Sequence, residues 1–198
     1  MIILTQKQLN KENLLNQGVL LLMQQGYHGT GLKEILDAVN IPKGSFYNYF
    51  GSKENFAVEV IQHYINPYIE QLDNHLQNPY IDAHTALRRY FNGAIAELEK
   101  TNFKGGCLLG NLMGELGDSN EPCRIALQAT LNRYRNLLAT GLARAQEEGS
   151  VRIDRTATEL ADLLLNTWQG ALLRMKIEKS AAPLRQCCDN LLNAFFKV

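Results

Sequence analysis

The sequence contains no long apolar run. Its apolar start, Met1-Ile2-Ile3-Leu4, is followed at once by polar residues, and no later stretch approaches the length that crosses a bilayer. We therefore expect neither a signal peptide nor a membrane-spanning segment, and we expect the protein to work in the cytoplasm.

Cysteine is scarce and neither sign of charge is in excess. The chain has four Cys and four His, without paired CxxC elements and without two His at helical metal-binding spacing. This pattern predicts no metal site, no cofactor and a reducing compartment. Because 20 Lys and Arg balance 20 Asp and Glu, the formal net charge is zero. A role in nucleic-acid binding therefore has to rest on a motif and not on composition.

One stretch, residues 30–54 (TGLKEILDAVNIPKGSFYNYFGSKE), carries most of the functional information. Its apolar residues predict a short helix that Gly31 or Thr30 can cap. Asn40 accepts the left-handed conformation of a tight turn, and Pro42 suits the start of the next helix. The pattern predicts a helix-turn-helix, whose second helix enters the DNA major groove and touches base edges with its N-terminal residues.

The second helix of this motif, residues 43–50, has two faces. Phe46 and Phe50 are four residues apart and should pack inward. The lysines and tyrosine hydroxyls of the motif suit phosphate contacts, and its short polar residues suit base edges. The alternative interpretation of Tyr47 is packing in the core, and that of Asn48 is exposure to solvent without a DNA contact. The predicted DNA-binding residues are Thr30, Lys43, Gly44, Ser45, Tyr47, Asn48, Tyr49 and Lys53.

The segment IPKGSFYNYFGSKE resembles the recognition-helix signature of TetR-family transcriptional repressors, whose usual form is close to VSKGTLYxHFxSKE. The match runs in register from Lys43 to Glu54. It departs at Asn40, where the family usually has Gly, and at Gly31, where Ser or Thr is usual. The resemblance implies a homodimeric repressor, without enzymatic activity, that binds a palindromic operator in double-stranded DNA and responds to a small-molecule effector.

Helical periodicity continues to the end of the chain, and no segment reads as a strand. The predicted fold class is all-α, with a three-helix helix-turn-helix head at 1–51 and a C-terminal helical bundle at 52–198 that binds the effector and dimerises. Beyond the motif, helices are predicted over about 5–25 (ended by Gly26), 52–77, 82–100, 122–148, 155–179 and from Pro183 on, with short helical pieces in the Gly-rich stretch 103–118.

Two predicted helices near the end of the chain are more apolar than a helix that buries only one face. The 155–179 helix is apolar on more than one side, and the 122–148 helix nearly so; such helices require more than one partner. The family resemblance implies that both pair with their copies across a homodimer interface. The alternative is that both belong to the core of one large bundle.

Cys107 follows Gly105-Gly106 at a predicted helix entry, where the pKa of a thiol is lowered and thiolate chemistry becomes easier. A small buried core residue is the competing interpretation. The piece GCL at 106–108, with acidic Glu115 and Asp118 following, and the tail ALLRMKIEKSAAPL at 171–184 resemble the TetR branch that includes the electrophile-responsive repressor of N-ethylmaleimide reductase. That resemblance implies that Cys107 senses electrophiles and that Lys176 lies close enough to stabilise its thiolate. The pattern GCLxxNxxxE, here Gly106 to Glu115, also occurs in relatives that bind small molecules non-covalently, so both kinds of effector stay open.

A non-covalent ligand would find room in the core of the bundle. The predicted pocket residues are Phe91, Leu112, Met113, Tyr134, Trp168 and Met175, each with plain core packing as its alternative. An enzyme that uses Cys107 as its nucleophile is another hypothesis, but no His lies near it in sequence to act as a base. A module that docks another protein is a third hypothesis. No catalytic residue is predicted.

Overall fold

The computed structural model of the protein describes residues 5–198; the apolar start at 1–4 lies outside them. The described chain is helical, and its one extended pairing is an isolated bridge between Val151 and Lys197. The helices are α1 (Gln6–Gly29), α2 (Leu32–Val39), α3 (Lys43–Phe50), α4 (Lys53–Leu76), α5 (Ala83–Lys100), α6 (Leu108–Leu116), α7 (Glu121–Glu147), α8 (Ala157–Glu178) and α9 (Ala182–Asn190), followed by a π-helical turn at Leu191–Phe195. The all-α prediction is confirmed. None of these helices combines the length and the apolarity that crossing a bilayer requires.

Helix α1 begins with a capping box and is interrupted near its end. The Thr5 hydroxyl accepts a hydrogen bond from the Gln8 amide at 3.3 Å, and the Gln8 side chain accepts one from the Thr5 amide at 2.7 Å. Gly26 leaves the helical conformation, with φ 74° and ψ 178°. The regular helix therefore stops where the sequence predicted, and one more turn follows it as far as Gly29.

The chain packs as two compact units. The first unit runs to Asn66 and includes Leu108–Thr130; the second comprises Pro67–Cys107 and Leu131–Val198. Helix α6 and the first part of α7 thus pack in the same unit as α1, α2 and α3. Compactness does not say which residues bind DNA, so the predicted functional boundary after residue 51 stays a prediction.

The core of the first unit is aromatic beneath α3. The rings of Phe46, Phe50 and Phe56 have centroids 4.9–5.2 Å apart, and all three side chains are buried. The opposite side of this core requires glycine in α1, since a Cβ on Gly18 would lie 2.5 Å from Phe56 and 2.7 Å from Val60. The close packing of α4 against α1 therefore supports the buried face of α3.

Polar contacts join helix ends and loops within the second unit. His84 on α5 contacts the carbonyl oxygen of Leu192 through Nε2 at 2.6 Å. The Arg144 guanidinium on α7 donates to the carbonyl oxygen of Ile81 at 3.0 Å and also to that of Leu76. These contacts satisfy carbonyl groups at helix ends and in loops, which would otherwise be left unpaired.

Candidate nucleic-acid interface and thiol site

The turn between α2 and α3 has the geometry that the sequence predicts. Asn40 is left-handed, with φ 53° and ψ 45°, and its amide donates to the carbonyl oxygen of Asp37 at 3.3 Å. The Ile41 amide donates to the carbonyl oxygen of Leu36 at 3.2 Å. Pro42 then precedes α3 in an extended conformation. These contacts close the end of α2 and fix the direction in which α3 leaves it.

Helix α3 turns one face to the core and the other to solvent. Phe46 and Phe50 point inward, with 0% and 4% of their surface exposed. Tyr47 is 45% exposed, so its alternative interpretation as a core residue is wrong. The Lys43 ammonium lies 5.9 Å from the centroid of the Tyr47 ring. The solvent-facing residues of α3 are Lys43, Gly44, Tyr47 and Asn48, with Ser45 and Tyr49 half-buried beside them.

Two of the predicted DNA-binding residues have side-chain partners within the protein. Thr30 is fully buried, and its hydroxyl donates to the carbonyl oxygen of Gly26 at 2.6 Å. The Lys53 ammonium donates to the carbonyl oxygen of Tyr27 at 2.7 Å and lies 4.3 Å from the centroid of that ring. Burial lowers the pKa of Lys53, while the carboxylates of Glu115 and Glu54 oppose this shift. Both side chains form hydrogen bonds to the segment that precedes α2, and neither lies on the exposed face of α3.

Cys107 lies at the end of an irregular, left-handed segment. Asn102, Phe103, Gly105 and Gly106 all have positive φ, between 53° and 85°. Cys107 comes directly before α6 and is half-buried, and the Gln169 side chain donates a hydrogen bond to its sulfur at 3.5 Å. Cys107 is therefore partly exposed as a residue, and its sulfur has a polar neighbour on α8.

Lys176 approaches the same segment. A Cβ placed on Gly106 would lie 3.8 Å from Lys176 Cδ and 4.0 Å from the carbonyl oxygen of Leu172. The Lys176 side chain thus passes within van der Waals reach of the residue that precedes Cys107. The proximity of the Lys176 ammonium to the Cys107 thiol, which the family resemblance implies, stays a prediction.

The other three thiols are shielded. Cys123, Cys187 and Cys188 are buried, and Cys107 is the only one of the four cysteines that is not. Burial raises the pKa of Cys123 and Cys187 to about 11, and the pKa of Cys188 to about 12. Because the thiolate is the nucleophile, these three groups are poor candidates for reaction at neutral pH. Across residues 5–198, no three His, Cys, Asp or Glu side chains come together as a metal site.

The predicted pocket residues fall into two groups. Leu112 and Met113 are on α6 in the first unit; Phe91, Tyr134, Trp168 and Met175 are buried in the second. In the second unit, the Phe91 and Trp168 rings meet edge to face with centroids 4.8 Å apart. The Tyr134 hydroxyl donates to the Tyr90 hydroxyl at 2.9 Å, and burial raises the pKa of Tyr90 to about 12. Trp168 adjoins Gln169, so this aromatic cluster lies next to the contact with Cys107 along α8.

Helix α8 also carries a solvent-facing apolar stripe. Leu163, Leu173 and Ile177 are 39%, 55% and 82% exposed, and their spacing places them on one face with Gly170 between them. A Cβ on Gly170 would point into open space. The 155–179 segment thus exposes the second apolar side that its sequence predicts.

Comparison with known proteins gives two family matches. Residues 14–60 match the model described as bacterial regulatory proteins, tetR family. Residues 83–191 match the model described as tetracyclin repressor-like, C-terminal domain. Together the two matches cover more than half of the chain, and the first contains all of α2 and α3.

Individual relatives match along nearly the full length. The HTH-type transcriptional repressor DhaR of Mycobacterium sp. (strain GP1) is 34% identical over 176 residues, which cover 89% of this chain and 87% of that protein. The HTH-type transcriptional repressor NemR of Escherichia coli (strain K12) is 30% identical over 183 residues, covering 92% of each. The crystal structure of E. coli NemR in its reduced form superposes with a TM-score of 0.88 over 96% of this chain and 98% of that one, at 30% identity.

Proposed function

The chain belongs to the TetR family of transcriptional repressors, which bind DNA and are not enzymes, and on that premise we propose that it leaves its operator when an electrophile modifies Cys107. The operator in this proposal is palindromic double-stranded DNA, bound by residues 1–51 of each subunit of a homodimer. Residues 52–198 form the effector-binding and dimerising part.

The exposed face of α3 supports the proposed binding to operator DNA. Gly44 leaves open space on its surface, which allows the backbone to approach the duplex closely. Lys43 and Tyr47 supply a cation and a hydroxyl for phosphate oxygens, which fix the position of the helix. Asn48 and Ser45 supply the short polar groups that suit base edges, and Asn is suited to the N6 and N7 atoms of adenine.

The stripe on α8 supports the homodimer. Three large apolar side chains that face solvent on one helix indicate a surface that a partner buries. A second copy of the same helix can contact them across a two-fold axis. Two heads held in this way bind half-sites that are one or more helical turns apart. A protein that reads a palindrome therefore gains both specificity and avidity from this face.

The accessibility of Cys107, compared with the other three thiols, is the single observation that carries the effector proposal. An α,β-unsaturated carbonyl is a suitable effector class. The Cys107 thiolate attacks its β-carbon, the electron pair of the carbon–carbon double bond moves to the carbonyl oxygen as an enolate, and the enolate takes a proton from water. Lys176 is the cation that we propose to stabilise the thiolate before attack. The relative NemR, solved in a form described as reduced, is in keeping with a thiol whose state matters.

A non-covalent ligand is the second candidate effector, favoured by the buried aromatic cluster of Phe91, Trp168, Tyr90 and Tyr134. The Tyr hydroxyls are polar groups in an apolar surrounding, which is how small-molecule sites orient a ligand. With either effector, DNA release requires that the effector favour the conformer in which the heads do not match the half-sites.

We expect the purified protein to bind the DNA upstream of its own gene about 10³-fold or more tightly than a scrambled duplex of the same length. The affinity should fall steeply with salt, because phosphate contacts release counterions. Fluorescence anisotropy on labelled duplexes at several salt concentrations measures both quantities. Equal affinity for the two duplexes at every salt concentration would contradict the proposal.

A further inference from the structure

A carboxylate on α6 holds the backbone of the helix-turn-helix head. Glu115 accepts hydrogen bonds from the amides of Tyr27 and His28, at 2.8 Å through Oε2 and 2.7 Å through Oε1. Each carboxylate oxygen thus takes one of two consecutive backbone donors. The two ends of this contact are 88 and 87 residues apart in sequence, but both lie in the first compact unit.

The break at Gly26 makes this contact possible. Because Gly26 leaves the helix, the next amides begin a new turn and have lost their usual carbonyl partners in α1. An anion placed at such amides is favoured by both hydrogen bonding and the local dipole. The fit is tight, since a Cβ on Gly26 would lie 2.6 Å from Glu115 Oε2. Only glycine combines the positive φ with room for the carboxylate.

Three side chains together fix residues 26–30, the segment that leads into α2. Thr30 holds the carbonyl oxygen of Gly26, Lys53 holds the carbonyl oxygen of Tyr27, and Glu115 holds the amides of Tyr27 and His28. Thr30 and Lys53 belong to the head and to the helix that follows it. Glu115 belongs to α6, which begins at the residue after Cys107.

We propose that Glu115 is a positioning residue that keeps the helix-turn-helix in its DNA-binding arrangement and makes that arrangement depend on the position of α6. When α6 shifts, the carboxylate leaves the two amides, residues 26–30 lose one of their three supports, and α2 and α3 lose their fixed starting point. The link to Cys107 through α6 rests on the proposed function; the contribution of Glu115 to DNA affinity does not.

The test compares Glu115→Gln with the control Asp118→Asn. Gln keeps the shape of Glu but replaces one acceptor oxygen with an NH2 group, which cannot accept from an amide. Asp118 is exposed just beyond α6 and loses the same charge in the control. We expect Glu115→Gln to weaken binding to the upstream duplex about 10-fold, to leave the urea midpoint close to that of the native protein, and to speed hydrogen exchange at the amides of Tyr27 and His28. Asp118→Asn should change none of these.

Two results would overturn the proposal. One is that Glu115→Gln binds the duplex as tightly as the native protein. The other is that it lowers the urea midpoint while the folded protein keeps native affinity, which is the behaviour of a purely structural residue. Gly26→Ala disrupts the same contact by placing a Cβ against the Glu115 carboxylate. Its effect on affinity should therefore be non-additive with that of Glu115→Gln. Additive effects would count against the contact.

The dependence on α6 is measured separately by exchange at the amides of Tyr27 and His28 after treatment with N-ethylmaleimide. Faster exchange in the native protein but not in Cys107→Ser supports the full proposal. If the reagent releases DNA while both amides stay protected, the link through Glu115 is wrong. If the reagent neither releases DNA nor changes exchange, the effector proposal fails, whereas the affinity loss of Glu115→Gln still stands by itself.

Discussion

Replacing Leu173 and Ile177 together with Glu should turn the homodimer into monomers and weaken operator binding by about 10²–10⁴-fold. The first effect follows from the exposure of both side chains on the α8 stripe, where two new charges per subunit would face their copies across the two-fold axis. The second follows because one head binding alone loses the gain that comes from linking two binding events. Sedimentation equilibrium and anisotropy titrations measure the two effects.

The matched control for this variant is Asn92→Glu with Ala96→Glu. Both residues are exposed on α5, and the pair adds the same two negative charges per chain to a different surface. The control should remain dimeric and bind the operator within a few-fold of the native protein. If the α8 variant stays dimeric, or if it becomes monomeric without losing affinity, the assignment of this face to the DNA-binding dimer is wrong.

Substitutions on the exposed face of α3 should separate base reading from phosphate binding. We expect Asn48→Ala to weaken binding to the operator by about 10–100-fold and to relax the preference for one base pair, because a bidentate contact to a base contributes about 1–3 kcal/mol of discrimination. Lys43→Ala should weaken operator and scrambled DNA alike, and lower the slope of log affinity against log salt by about one. Anisotropy titrations with operator variants and a salt series measure both effects.

Lys33 is a useful control for these substitutions. It is exposed on α2 and not on α3, and Lys33→Ala removes the same charge as Lys43→Ala. A salt slope that falls equally in both variants would show that general charge, and not the placement of Lys43 on α3, governs the affinity. A preference that stays unchanged in Asn48→Ala would remove Asn48 from the base-reading set.

The parts of the fold and site that the sequence predicts well are local in the chain. The left-handed turn at Asn40 and the inward pair Phe46 and Phe50 depend on neighbours within a few residues, and the structure has both. The break in α1 at Gly26 belongs to the same class. In each case a residue type with a strong conformational or burial preference lies where the helical period requires it.

The parts that sequence patterns could not predict are long-range polar contacts. The motif pattern predicts that Lys53 is exposed and suited to a phosphate contact, but in the structure its partner is a carbonyl oxygen 26 residues earlier. Thr30 had a local signal, since its hydroxyl bonds the carbonyl four residues before it, next to the break. Nothing periodic connects Glu115 to Tyr27. Backbone groups freed by the break need partners, and the fold, not the local sequence, decides which side chain reaches them.

For the pocket residues, apolar periodicity predicts burial but not the neighbouring residues. A helical stripe predicts that Leu112 or Trp168 is buried, and both are, but not which residues surround them. Leu112 packs in the first unit and Trp168 in the second. Periodicity therefore gave the correct faces of α6 and α8, while the placement of those faces in two different units required the structure.

The most direct test of electrophile-controlled release is the affinity for the upstream duplex with and without N-ethylmaleimide, measured for the native protein and for Cys107→Ser. The variant keeps the three buried thiols, so it also controls for reaction at any other cysteine. We expect the reagent to release the native protein from its operator and to leave Cys107→Ser bound with native affinity. Release of both proteins, or of neither, would contradict the claim that Cys107 controls DNA binding.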